Sequence, residues 1–404
     1  MTTHNRLSVT NLSVIRNYDK VLLFIMLLLI AFGTLMIYSS TSVITPLLAK
    51  RKITEFYYFK RHLFTMVMGS LAMLVAYRVK PSFLKKISVP LLVFSFFLLL
   101  LVFFPYIGVT AGGARRWIRL WPTTFQPSEL VKLAMVIFLA KYMSAADYNT
   151  ERFSSFVKPL LVMALFQVVF LKQPDFGATM SLGLLTFGML FISGMRLRYL
   201  GSVLVLAIPV IVKLVMEPYR LRRITSFIDP WKDPQGSGFQ LIQSFISIGS
   251  GGITGLGLGE SKQKLSFLPA SHTDFIFCLV GEELGLIGAT VVIALFMFLF
   301  LRGIWIANKS GEKFHYYLAY GLTMMISIQA LINFAVVTGM VPTKGLPLPF
   351  MSYGGSALLV NMAVIGLLLR ISKGDDEVAE DDNSAVIARK IARRNIYNRK
   401  GYSR

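Results

Sequence analysis

"FLPASHTDFIFCLVGEELG", residues 267–285, leads into an apolar run that continues to Leu301. Pro269, Ser271, His272, Thr273 and Asp274 precede the run, and Glu282 and Glu283 interrupt it about two turns further on. Such a run is long enough to cross a hydrocarbon core of roughly 30 Å. Carboxylates are costly there unless they have partners or a task. The stretch therefore reads as a spanning helix with one carboxylate, Asp274, held at its mouth.

Composition extends that reading to the whole chain. The 404 residues are 55% hydrophobic and only 15% charged, with 32 Phe, too apolar for a water-soluble domain of this size. Runs of spanning length fall near 20–41, 62–79, 87–106, 128–144, 157–172, 176–194, 198–216, 274–302, 315–339 and 353–371. An all-α polytopic membrane protein with about ten transmembrane helices is expected. Residues 1–19 are polar and show no small-residue cleavage site, so the first run reads as a retained span and not a signal peptide. The single cysteine, Cys278, lies in an apolar run and has no partner for a disulfide; with four histidines it cannot build a structural zinc site.

Lys and Arg set the orientation. Arg78, Lys80, Lys85, Lys86, Arg152, Lys158, Arg196, Arg198, Arg302, Lys309 and Lys313 share one side with both termini, so that side is cytoplasmic. The tail, 372–404, is acidic and then strongly basic, a solvated extension able to touch anionic lipid. The opposite side also carries cations: Arg115, Arg116 and Arg119 in one loop, Arg220, Arg222 and Arg223 with Lys262 and Lys264 in another, and Lys344 in a third. For Lys50–Lys52 lipid headgroups are explanation enough. The arginines around Trp117 and Pro218 suit phosphate oxygens as well, because a planar donor fork matches them.

The longest external segment spans 217–273. Within it, 229–238 is punctuated by Pro and Gly and reads as loop. Phe239, Ile242, Phe245 and Ile246 fit one side of a short helix lying at the membrane surface. "GSGGITGLGLGES", 249–261, invites comparison with phosphate-cradling loops, but no strand precedes it and no Lys-Ser or Lys-Thr closes it, so it reads as flexible loop. In "FQPSELVKLAMVIFLAKYM", 125–143, Pro127 and Ser128 start a helix that places Glu129 and Lys132 on one face. They can neutralise each other, as glue between helices or as part of a functional cavity. Should this helix adjoin that of Asp274, the three residues form one polar cluster open to the outer face.

"GARRWI" at 113–118, "QPSELVKL" at 126–133, "QPDFGAT" at 173–179, "RRITSFIDPWKDPQGSGFQLIQS" at 222–244, "HTDFIFCLVGEELG" at 272–285 and "KGLPLPFMSYGGSALL" at 344–359 together resemble the SEDS family of shape, elongation, division and sporulation proteins. The resemblance covers Asp19 to about Lys373, and its wording is nearer the FtsW branch than RodA. It implies a peptidoglycan glycosyltransferase that polymerises lipid II on the outer face of the cytoplasmic membrane during cell division. Its expected partners are a class B penicillin-binding transpeptidase, other divisome proteins and membrane lipid, with no nucleic acid. Asp274 matches the family's essential external aspartate, and Glu129 and Lys132 match residues bordering the same cavity. Arg116, Arg223, Lys344, His272 and Ser352 complete the expected substrate contacts. Ala270 and Ser271 stand where the family often has Glu and Ala, and Gly112 or Gly113 where an Asn is frequent.

The reaction needs one base and several cations. A sugar hydroxyl must attack an anomeric carbon whose leaving group is a polyprenyl pyrophosphate. Asp274 is the candidate base. Its position at a helix start and Lys132 nearby are expected to favour its charged form. Lys132, Arg116, Arg223 and Lys344 can offset the departing charge, a task a divalent cation, Mg or Mn, could share. Ser271, His272 and Thr273 are expected to cap and position, and Glu282 and Glu283 to pair with polar groups of neighbouring helices. A transporter of lipid-linked precursors is the alternative function, although no convincing internal repeat supports it. A scaffold that only recruits a transpeptidase would have no need of Asp274 or Lys132.

Overall fold

The computed structural model describes residues 18–41, 57–111, 113–120, 123–216, 218–265, 272–343 and 345–374. Lys50–Lys52, Gly112, Pro269–Ser271, Lys344 and the tail from 375 lie outside the described residues. In chain order the helices and strands are α1 (Lys20–Thr41), α2 (Tyr57–Arg78), α3 (Pro81–Leu101), β1 (Gly108–Ala111), β2 (Ala114–Leu120), β3 (Thr123–Phe125), α4 (Pro127–Met143) and α5 (Phe153–Lys172). Then follow α6 (Phe176–Ile192), α7 (Leu197–Val215), α8 (Pro218–Ile228), α9 (Phe239–Ser250), α10 (Ile276–Lys309), α11 (Lys313–Val337) and α12 (Gly355–Lys373).

A helix lies in each of the ten apolar runs. Six of them, α1, α3, α5, α10, α11 and α12, are long and apolar enough to cross a membrane. Among the described residues α6 is apolar but shorter, and the count of ten spans remains a sequence-based expectation. Pro81 and Pro127 sit in the first turns of α3 and α4, where the missing N–H costs no hydrogen bond and the fixed φ suits a helix.

Burial separates a central set from a lipid-facing one. Val131, Ala134, Met135, Val136, Leu139 and Ala140 of α4 are shielded almost completely, as are Leu318, Leu322 and Ile326 of α11 and Val364, Ile365 and Leu368 of α12. α2 packs along α12, where Gly366 permits close backbone approach: a Cβ there would stand 2.2 Å from Met73 O. On the outside, α3, α5 and the outer half of α10 turn Phe94, Phe97, Leu161, Leu165, Leu286 and Ile287 outward. In a membrane protein these are the surfaces that face acyl chains.

Two features depart from the sequence reading. The first is a small antiparallel sheet of order β1-β2-β3, with Gly108 paired to Ile118 and Ile118 to Phe125. It was hidden because Arg115, Arg116 and Arg119 obscure the alternation in which Ala114 and Ile118 turn inward. The second is the Gly-rich stretch, which is neither a phosphate cradle nor a free loop. It packs against α10 where that helix is interrupted at Gly285 (φ 64°, ψ −161°). The preceding α9 docks through Leu241, Ile242, Ser244 and Ser247, leaving Phe245 and Ile246 exposed, so of the expected apolar side only part faces outward.

Candidate active site

Four segments converge at one end of the bundle: the turn His272–Phe275 before α10, the stretch 345–350 before α12, and the arginine-bearing β2 and α8. Asp274 precedes α10 by two residues and belongs to the turn. It is therefore not the helix's first residue, and the helix has no side-chain cap. Asn333 of α11 fixes the turn, its Nδ2 donating to Asp274 O and to Leu346 O at 2.8 Å each. On the other side stands Gly345, where a Cβ would lie 3.1 Å from Asp274 Oδ2.

The electrostatics of Asp274 differ from expectation. Its carboxyl keeps some solvent access, but crowding by protein pushes its pKa from 3.8 up to about 6, against the pull of Arg116 and Arg223. Among the described residues Arg116 and Arg223, and not Lys132 as expected, are the cations that favour its ionised form. Arg223 is held by Thr343 O at 3.2 Å. Arg116 clasps the turn between α5 and α6: its Nε donates to Gln173 O at 3.4 Å, another guanidinium nitrogen to Pro174 O, and Nη1 lies 3.9 Å from Asp175 Oδ1. A carboxyl of this pKa is mostly ionised at neutral pH and close to the operating pH of a general base.

Glu129 and Lys132 form their own pair. Lys132 Nζ donates to Glu129 Oε1 at 2.8 Å and to Gln329 Oε1 at 3.3 Å, with both residues only 2–3% exposed. The pair is thus enclosed, not open as expected, and α11 meets it through Gln329. Gln329 links it to that stretch through Pro347 O at 2.9 Å, one helical turn from the Asn333 contact. Asp274 and the buried pair are consequently tied to the same 345–350 stretch, at two successive turns of α11.

His272 does not cap the helix either. Its O accepts from Tyr353 N–H at 2.9 Å, and its ring lies 5.0 Å from that of Tyr58 and 5.8 Å from that of Tyr353. Burial lowers its pKa, so it is neutral at pH 7. Ser352 is 3% exposed; its Oγ accepts from Leu348 N–H at 2.8 Å and so shapes the loop. Lys344 lies outside the described residues, between Thr343 and Gly345.

Sequence reasoning passed over Asp175, Gln126, Gln329 and Asn333. Asp175 accepts from Ala178 N–H at 3.1 Å, capping α6, and from Gln126 Nε2 at 3.1 Å. The signal was present: an Asp directly before an apolar run, and two amides four residues apart in another. Among the described residues no group of three or more His, Cys, Asp or Glu is placed to hold a metal ion. A divalent cation beside Asp274 would have to complete its shell largely with substrate oxygens and water.

Fold and site together define a multi-pass membrane protein of SEDS architecture, with a carboxylate and arginines at one end of the bundle. A family model described as "Cell cycle protein" (FtsW, RodA, SpoVE) matches residues 19–377, and the chain belongs to that family. It is 44% identical over 365 residues to the "Probable peptidoglycan glycosyltransferase FtsW" of Geobacter sulfurreducens, covering 90% of this chain and 97% of the relative. To "Stage V sporulation protein E" of Bacillus subtilis it is 40% identical, covering 88% and 97%. Among solved structures, it resembles a chain described under "Structural coordination of polymerization and crosslinking by a peptidoglycan synthase complex" (TM-score 0.74, 28% identity, 89% of this chain and 99% of that one). It also resembles the Thermus thermophilus rod shape determining protein RodA (TM-score 0.65, 26% identity, 89% and 98%).

Proposed function

We propose that this protein is a peptidoglycan glycosyltransferase that polymerises lipid II at the outer face of the cytoplasmic membrane during cell division, with Asp274 as general base. The observation that carries this is a carboxyl of pKa about 6 under the influence of two arginines at the outer end of the bundle. Asp274 takes the proton of the acceptor sugar's hydroxyl as that oxygen attacks the anomeric carbon of the donor. The bond to the polyprenyl pyrophosphate breaks, and Arg116, Arg223 and Lys344 offset the charge that leaves with it. Glu129 and Lys132 hold α4 and α11 in the register that frames this site. The polyprenyl tails stay in lipid throughout, which is why the enzyme is built from spanning helices.

A crosslinking transpeptidase is the proposed partner, since the protein's structural relative belongs to a synthase complex that couples polymerization and crosslinking. The deciding assay combines purified protein, its transpeptidase and fluorescent lipid II, and resolves glycan chains on a gel. Absence of chains under conditions where the complex is intact would return the weight to lipid transport. Orientation is tested separately: a cysteine at Ser237 is expected to react with an impermeant reagent from outside, and one at Ser384 to be shielded. The reverse pattern would remove Asp274 from the outer face.

A further inference from the structure

The break at Gly285 leaves the outer end of α10 as a separate half, Ile276–Leu284, and Asp274 sits at its approach. Backbone groups freed by the break pair with the Gly-rich segment. Leu256 and Gly257 N–H donate to Glu282 O and Glu283 O at 3.0 Å each, while Leu286 and Ile287 N–H donate to Gly252 O at 2.9 Å and Ile253 O at 3.2 Å. No side chain fits in this joint: a Cβ on Gly255 would lie 2.2 Å from Glu283 O, and one on Gly285 2.3 Å from Gly255 N. In a span, such an interruption is tolerated only where other protein satisfies the backbone.

Glu282 closes the same joint with its side chain. It is 1% exposed, and four donors converge on it: Ser261 Oγ at 2.6 Å, Lys262 N–H at 2.8 Å, Ser247 Oγ at 3.0 Å and Gln263 N–H at 3.4 Å. Ser247 belongs to α9 and the others lie at and just after the end of the Gly-rich segment, so one carboxylate gathers two parts of the external segment onto the half-helix. Glu283 turns elsewhere, accepting from Ser39 Oγ of α1 at 2.6 Å with Lys264 Nζ at 3.9 Å. Hydrogen bonds to an ionised acceptor are roughly twice as strong as neutral ones. Nothing in the chemistry proposed above uses this cluster.

We propose that Glu282 is a positioning residue for Asp274: its hold on Ser247 and residues 261–263 fixes the half-helix Ile276–Leu284, and thereby the place of the Asp274 carboxylate at the outer site. The inference rests on the polymerase reading. Gly285 decouples the half-helix from the rest of the span, so its orientation has to be set from outside. Asn333 secures one end through Asp274 O and Glu282 the other. The two residues are eight positions apart, so a small rotation at the joint displaces the carboxylate, and a misplacement of about 1 Å can cost on the order of a hundredfold in rate.

The test uses full-length Glu282→Ala, Glu282→Gln and a Ser247→Ala/Ser261→Ala double variant, each assembled with the transpeptidase and assayed on fluorescent lipid II. Thermal unfolding is measured in parallel. Glu282→Ala is expected to lower kcat about a hundredfold with KM within about twofold, and to move the acid limb of the pH–rate profile. Glu282→Gln, which still accepts from Lys262 and Gln263 N–H, should restore most of the rate. The serine pair should lose about tenfold with its fold intact, and it carries the test if Glu282→Ala does not fold. Asp274→Asn is run alongside. Chains made by that variant would overturn the base assignment and this inference with it. Wild-type kcat and an unmoved acid limb in the folded serine and Glu282 variants, with Asp274→Asn inactive, would overturn the positioning role alone.

Discussion

Two acid–base groupings in this molecule are built on opposite plans. Glu129 and Lys132 meet directly at 2.8 Å, share Gln329, and are sealed inside the bundle. Asp274 has its cations held by other groups, Arg223 by Thr343 O and Arg116 by the turn before α6, so they act on it as a field. A buried contact pair of this kind fixes geometry, because removing either partner leaves the other uncompensated. A carboxyl influenced at longer range keeps a pKa that can serve proton transfer near neutrality. On the proposed reading the first grouping serves structure and the second chemistry.

The largest effect should come from Asp274→Asn. The substitution keeps size and hydrogen bonding but removes the proton acceptor, so the variant is expected to fold, insert and bind its transpeptidase while losing polymerisation by a factor of about 10²–10⁴. Chain synthesis at a normal rate by purified variant protein, free of other polymerases, would end the base assignment and erase the contrast.

For the buried pair the expected loss is one of stability. Lys132→Met leaves Glu129 uncompensated in the interior, at a cost of about 3–5 kcal/mol. Glu129→Gln/Lys132→Met removes both charges and should regain most of that in detergent unfolding experiments. If the double variant is stable yet inactive on lipid II, the pair has a part in the chemistry as well, and the division drawn above is too sharp.

How much of this was legible in the sequence follows from what each signal depends on. Apolar length is a local property, and a helix was found in each expected run. Pro127 marked the start of α4, and the spacing of Glu129 and Lys132 foretold their contact. The partners of Asp274 were less legible, because Lys132 was nearer by motif whereas Arg116 and Arg223 arrive through a sheet and an external helix that only tertiary packing places. Glu282 and Glu283 were rightly expected to pair with polar groups, but the break at Gly285 could not be seen. A lone glycine in an apolar run does not announce a positive φ. The Gly-rich stretch looked flexible because its packing partner is backbone freed by that distant glycine.

Ser352 tests the boundary between loop shape and substrate contact. Its Oγ satisfies Leu348 N–H, so Ser352→Ala should leave a buried donor unpaired and cost about 1–3 kcal/mol of stability. With this geometry KM for lipid II should stay close to that of the parent protein. A raised KM in a variant of unchanged stability would place the hydroxyl among the substrate contacts.

The smallest effect, and the most specific to the contrast, is a displacement along the pH axis. Asp274 works as a base only when deprotonated, and its pKa is about 6, so kcat/KM should be level above that pH and fall tenfold per unit below it. Arg223 favours the ionised carboxyl; its removal in Arg223→Gln takes away a pull toward low pKa, and the acid limb should move to higher pH. Lys132→Met in the Glu129→Gln background should leave the limb in place, because that pair does not set the charge state of Asp274. A limb that moved with the buried pair and stayed fixed with Arg223 would reverse the roles of the two groupings, since the field at the outer carboxylate would then originate inside the bundle.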